Sequence, residues 1–222
     1  MDMNHETPAK HMEYIAEADY LTSTEALKRN AFHAMDQLEG WCSKQKAAVL
    51  IDLICMTQPE VIVEIGVFGG KSLVPMAYAL QANGHGKIYG IDPWDNQESM
   101  DGMDGVNLEW WEAVDHNKIL RELLQKVHNF GLNRHVELIR ATSELAPVIP
   151  NIDILHIDGN HSEKASLFDV EKWFPLVKKG GIIVFDDVSW CTTKAAVQWL
   201  ESNSVQFVQF TGDNIWGIWV KP

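Results

Sequence analysis

The chain has little of several things that mark whole classes of protein. Its 222 residues include three cysteines, Cys42, Cys55 and Cys191, far apart and without a CxxC spacing. That excludes a disulfide scaffold or a zinc ribbon, and the expectation is reduced thiols in a cytoplasmic protein. Long apolar runs are missing too: the best stretch, 47–56, is short and contains Asp52, and Met1 to Glu6 form neither a basic nor an apolar leader. The reading is a chain with no membrane partner and no export signal. Positive charge is scarce. Lys and Arg total 18 against 31 Asp and Glu, a net charge of −13 with no basic patch, which argues against nucleic acid as a partner. With 15 Gly, 8 Pro, 46% hydrophobic and 22% charged residues, the composition is that of a folded globular protein.

At roughly 150 residues per domain, the length favours one domain with an extension. Residues 1–58 read as an N-terminal helical extension that could cover a site, with helices predicted from Ser23 to Leu38 and from Lys44 to Met56. From Val61 the pattern changes to short β-branched runs, at Val61 to Ile65, Lys87 to Ile91, His135 to Ile139, Ile152 to Ile157 and Gly181 to Phe185. Helical stretches follow at Ser72 to Ala82, Lys118 to Phe130, Glu163 to Val177 and Lys194 to Asn203. This alternation predicts an α/β fold, a doubly wound, Rossmann-like parallel sheet. Val205 to Phe210 and Ile215 to Val220 are separated by four residues, too few for a crossover helix, so they are expected to pair as an antiparallel hairpin. The expected domain is therefore 59–222, with seven strands, mostly parallel, and an insertion at about 93–115.

Glu64-Ile65-Gly66-Val67-Phe68-Gly69-Gly70-Lys71-Ser72 closes the first strand and opens a helix, where open α/β sheets bind ligands. A P-loop would need glycine at position 65, which is Ile65. A dinucleotide fingerprint would need glycine at 68, where Phe68 places a ring against the pyrophosphate path. The third reading is a loop for S-adenosylmethionine, which has no phosphate and carries an ammonium and a sulfonium that a carboxylate such as Glu64 favours. A plain tight turn stays open as the bland reading. Asp92 ends the second strand 26 residues after Gly66, near where a ribose-binding acid belongs.

These segments, with Ile91-Asp92-Pro93-Trp94 and Leu155-His156-Ile157-Asp158-Gly159-Asn160-His161, resemble the small class I S-adenosylmethionine-dependent O-methyltransferases of the sugar-modifying and catechol types. The resemblance covers about Val61 to Val220. It implies that Gly66, Phe68 and Ser72 line the methionine end of the cofactor, that Asp92 binds ribose, and that Ser143 and Glu144 flank adenine, with Gly70 a further cofactor-binding candidate. Trp94 is expected near the adenosine because it follows Asp92-Pro93.

Asp158 ends the fourth strand and Asp186-Asp187 the fifth, so three carboxylates are expected on one rim, where they bind a hard cation or take up protons. In the metal-dependent relatives such positions hold Mg²⁺, and Asp158, Asp186 and Asp187 match them. A helix-capping role for the pair is the plain alternative. His161, three residues after Asp158, is the candidate general base, departing from the lysine of the catechol enzymes, and a purely capping His161 stays open. His156 reads as a mid-strand core residue satisfied by a hydrogen bond. The segment from Pro93 to Trp111 reads as a long acidic, tryptophan-rich loop, expected to be a lid over an acceptor pocket or a buried or subunit contact. The function expected is metal-assisted O-methylation of a small hydroxylated acceptor. A metal-independent methyltransferase and a non-catalytic S-adenosylmethionine-binding protein are the alternatives, and a homo-oligomer is compatible with the chain.

Overall fold

The computed structural model describes residues 17–212 and 214–222. Residues 1–16 of the expected extension and Asp213 of the hairpin turn lie outside them. Two helices come first, α1 (Glu17–Met35) and α2 (Lys44–Thr57). Ser43 caps α2, its hydroxyl accepting from the Lys46 backbone N–H at 3.1 Å, and Gln58 ends it in a left-handed conformation. The strands are β1 (Val61–Ile65), β2 (Lys87–Asp92), β3 (Val136–Arg140), β4 (Ile152–Ile157), β5 (Val177–Phe185), β6 (Val205–Phe210) and β7 (Trp216–Val220). They form one seven-stranded sheet in the order β3-β2-β1-β4-β5-β7-β6, parallel except where β7 pairs with β5 and β6. The doubly wound sheet and its terminal hairpin are as the alternation predicts.

Alternating strand residues feed two cores. Ile62 and Ile154 face a cluster with α1, α2, α3 (Leu73–Asn83) and α6 (His116–Asn129), and Val63, Leu155 and Ile157 face one with α7 (Glu163–Trp173) and α8 (Lys194–Asn203). Burying both faces stabilises the sheet by roughly 25 cal/mol per Å² of apolar surface. The helix expected to reach Val177 stops at Trp173, because Pro175 cannot donate to a continuing helix and the chain makes a 3₁₀ turn, Phe174–Leu176, before β5.

The segment expected as an insertion is not a plain loop. It contains two short helices, α4 (Asn96–Met100) and α5 (Gly105–Ala113). The Asp95 carboxylate caps α4 by accepting from the backbone of Gln97 and Glu98. Asn96 donates to the carbonyls of Trp111, Glu112 and Val114 at 2.9–3.3 Å, fastening one helix to the other. Asn160 donates to the carbonyls of Glu98 and Asp101 at 3.2 and 2.8 Å, which ties the pair to the loop after β4.

Candidate functional site

The chain runs outward from β1 through β2 to β3, then crosses back to β4 on the other side of β1. That reversal opens a crevice at the carboxyl ends of β1 and β4. Gly66 adopts φ +84°, and a Cβ there would overlap the Asp158 carbonyl and lie 2.6 Å from the Gly159 Cα, so only glycine lets the two strand ends close.

Asp92 shapes the loop between them. Its Oδ2 accepts the backbone N–H of Val67 and Phe68 at 3.0 and 2.9 Å, and its Oδ1 accepts that of Trp94 at 2.7 Å. Burial pushes its pKa up against these hydrogen bonds. Trp94 packs fully in the hydrophobic core and donates its indole N–H to the Phe68 carbonyl at 2.9 Å, so it braces the loop from within the fold instead of presenting an open ring. Ser72 is buried as the N-cap residue of α3 without a side-chain capping bond. The backbone carbonyls of Ser143 and Glu144 accept from Lys172 at 2.5 and 2.7 Å.

Strand parity explains the acidic rim. Glu64 and His156 are register partners in β1 and β4, and they project to the α2 side of the sheet with Ile62 and Ile154. Asp186 sits two residues beyond Val184, which also lies in that core cluster. Helix α2 lowers Lys46 onto this face. Its ammonium donates to Asp186 Oδ2, lies 2.9 Å from His156 Nε2 and stands 3.8 Å from Asp158 Oδ2. His156 Nδ1 meets Glu64 Oε1 at 2.9 Å and Nε2 meets Asp186 Oδ2 at 3.1 Å, leaving Glu64 Oε2 buried without a partner. Burial alone would raise Asp186, but Lys46 and then His156 outweigh it and hold its carboxyl far below the usual range. Asp158 goes the other way, raised by burial and by the Asp186 charge beside it. For Lys46, burial favours loss of the proton, and the carboxylates Asp186 and Asp158 overcome it to raise the pKa. His156 is raised as well, the pull of Asp186 and Glu64 exceeding the opposing effects of burial and Lys46.

The expected ligand set of Asp158, Asp186 and Asp187 does not assemble as one group. Among the described residues, the ligand atoms within 4.8 Å of one another form two sets, His156–Asp158–Asp186 and Asp158–His161–Asp187. Consecutive residues leaving a strand point to opposite sides, and Asp187, at φ +51°, turns toward the outer loops while Asp186 turns toward α2. Lys46 already contacts the first set. A Mg²⁺ ion wants near-octahedral oxygen donors at about 2.1 Å, and a hydrogen-bonded ammonium with an imidazole beside it does not supply that environment. In the second set His161 Nε2 and Asp187 Oδ2 are 2.9 Å apart, and Trp190 lies 5.0 Å from the His161 ring between centroids.

Lys46 and Trp41 are the site residues that sequence reasoning missed. Lys46 shares the buried face of α2 with Leu50 and Ile54 at a spacing of four, and a lysine on that stripe was the available signal. Trp41, between α1 and α2, stacks on Phe68 at 5.3 Å and meets Trp110 at 5.3 Å and Trp111 at 6.0 Å edge-on. Trp41 and Trp110 remain exposed, so this aromatic group roofs the glycine loop with open ring surface.

A parallel sheet with a β5-β7-β6 finish and a glycine loop facing an acidic rim defines the class I methyltransferase architecture. Solved structures agree on the fold. The O-methyltransferase from Bacillus cereus in complex with SAH has a TM-score of 0.62 at 15% identity, covering 96% of this chain and 94% of that one. TomG from Streptomyces achromogenes, an O-methyltransferase involved in tomaymycin synthesis solved with SAM, has a TM-score of 0.59 at 16% identity, with coverage of 96% and 94%. A family model described as a methyltransferase domain matches residues 63–188, and the chain belongs to that family of S-adenosylmethionine-dependent methyltransferases. Uncharacterized protein R132 of Acanthamoeba polyphaga mimivirus is 32% identical over 130 residues, 56% of this chain and 50% of that protein. The chain thus spans about half the length of this curated relative.

Proposed function

We propose that the chain transfers the methyl group of S-adenosylmethionine to a hydroxyl oxygen of a small molecule, with His161 as the base. The observation that carries this reading is the His161–Asp187 pair, 2.9 Å apart and beside Asp158 at the mouth of the crevice. Asp187 accepts the Nε2 proton, which fixes the imidazole tautomer and leaves the Nδ1 lone pair to take the acceptor's proton. The freed oxygen attacks the methyl carbon in line as the carbon–sulfur bond breaks, and S-adenosylhomocysteine leaves as a neutral thioether. Alignment supplies much of the acceleration, since the sulfonium is a good leaving group.

In this reading Gly66, Phe68, Gly70 and Ser72 hold the methionine part of the cofactor. Asp92 braces the loop with three acceptor positions and keeps one, on Oδ1, for a ribose hydroxyl, and Ser143 and Glu144 flank adenine. Trp190 and the exposed faces of Trp41 and Trp110 suit an acceptor with a sugar or aromatic ring. The metal-assisted version expected from the sequence is not the one this geometry favours, because an ammonium already neutralises Asp186.

The test is methyl transfer from labelled S-adenosylmethionine to a panel of phenols, catechols and sugars. We expect His161→Ala to lower turnover by about 10²–10⁴-fold while S-adenosylhomocysteine binds as before. Undiminished turnover in the variant would remove the base. Cofactor binding with no turnover on any acceptor would favour the non-catalytic alternative.

A further inference from the structure

We propose that Lys46 is a built-in counter-ion that takes the place of a divalent cation between Asp158 and Asp186, so that the chemistry of this crevice runs without a metal there. Helix α2 holds the lysine in place. Its apolar stripe, Ala47, Leu50, Ile51 and Ile54, is buried against α3, which fixes the helix over the sheet and aims the Lys46 stem at the ends of β4 and β5. The Lys46 side chain is only 7% exposed, and the Trp216 ring lies 5.6 Å from its ammonium. The ammonium binds Asp186 and also reaches His156 and Asp158, so a metal ion could enter only by expelling it.

Charge balance points the same way. Repulsion among converging carboxylates is the physical reason to expect a cation at such a rim, and here Lys46 and His156 stand among Glu64, Asp158 and Asp186. The third expected ligand, Asp187, engages His161 instead. An ion on that second set would occupy the imidazole assigned as base.

Lys46 is therefore a positioning residue, acting through Asp158 and Asp186. It also makes the N-terminal helices part of the site: the contact to Asp186 spans 140 positions in sequence. The inference builds on the methyltransferase reading, but its test does not need activity. Mn²⁺ is titrated into the full chain and followed by electron paramagnetic resonance of the free ion. Wild type should leave the signal undiminished at micromolar Mn²⁺. Lys46→Met should gain one site at least tenfold tighter than any in wild type, and Lys46→Met with Asp186→Asn should lose it again. One equivalent of Mn²⁺ bound by wild type and abolished by Asp186→Asn overturns the proposal, as does a folded Lys46→Met with no gain. Should that variant fail to fold, the wild-type titration with its Asp186→Asn control decides alone. Loss of S-adenosylhomocysteine binding in wild type would instead sink the methyltransferase reading and leave the Mn²⁺ result standing.

Discussion

Two buried ionisable residues show how a single side chain sets the behaviour of the whole. Asp169 on α7 is nearly inaccessible, and burial, opposed by a hydrogen bond from Ser143, pushes its pKa from 3.8 to about 7. Its Oδ1 has no partner. A carboxyl held protonated in the fold loses stability as pH rises from about 4, where the unfolded chain ionises, to about 7, where the folded one follows. The gap corresponds to on the order of 4 kcal/mol at 1.36 kcal/mol per pKa unit. Asp169→Asn should therefore flatten the stability profile between pH 4 and 7 and make the protein more stable than wild type at pH 8, as read by denaturant midpoints. Lys46 behaves oppositely. Lys46→Ala leaves Asp186 buried without its main partner, and breaking such a pair costs about 3–5 kcal/mol. Because Asp186 is held low, its contribution is present above about pH 4 and fades as acid titrates the folded carboxylate, so the penalty of this variant should shrink on acidification.

At the scale of elements, the glycines that close the crevice separate from those that only turn the chain. Gly66 and Gly84 both have positive φ, +84° and +79°, but a Cβ at Gly84 meets nothing within 4 Å. Gly84→Ala should cost about 1 kcal/mol of backbone strain. Gly66→Ala must also part β1 from β4, adding about 1–3 kcal/mol of overpacking, and should weaken S-adenosylhomocysteine binding at least tenfold in calorimetry. Equal stability loss and unchanged binding in both variants would deny Gly66 its place at the site. The strands around it were legible in the sequence because each is a short β-branched run with one residue in two facing each core. The helices of the insertion were not. Neither α4 nor α5 buries a residue, so no apolar stripe of helical period announces them, and they are held by the side chains of Asp95, Asn96 and Asn160. The burial of Trp94 was hidden for a related reason, since a tryptophan after Asp92-Pro93 gives no local sign that tertiary packing takes it into the core.

For the molecule as a whole, the doubly wound sheet, its terminal hairpin and the ligand loop after the first strand followed from the alternation of runs, whereas contacts across the sheet did not. The divergence of Asp186 from Asp187 was within reach of strand parity, but what meets Asp186 depended on how α2 docks, which no local pattern states. Among the described residues no helix is long and apolar enough to cross a membrane. The net charge of −13 sets up a field that attracts cations to the molecule as a whole, and electrostatic attraction of this kind weakens as salt rises. Affinity for S-adenosylmethionine, which carries the sulfonium, should therefore fall more between 50 and 500 mM NaCl than affinity for the uncharged thioether S-adenosylhomocysteine. The most direct measurement is calorimetry of the full chain with S-adenosylhomocysteine. The expected result is one saturable site of micromolar affinity, lost in Asp92→Ala and indifferent to Mg²⁺. Absence of binding, or a nicotinamide dinucleotide bound in its stead, would contradict it.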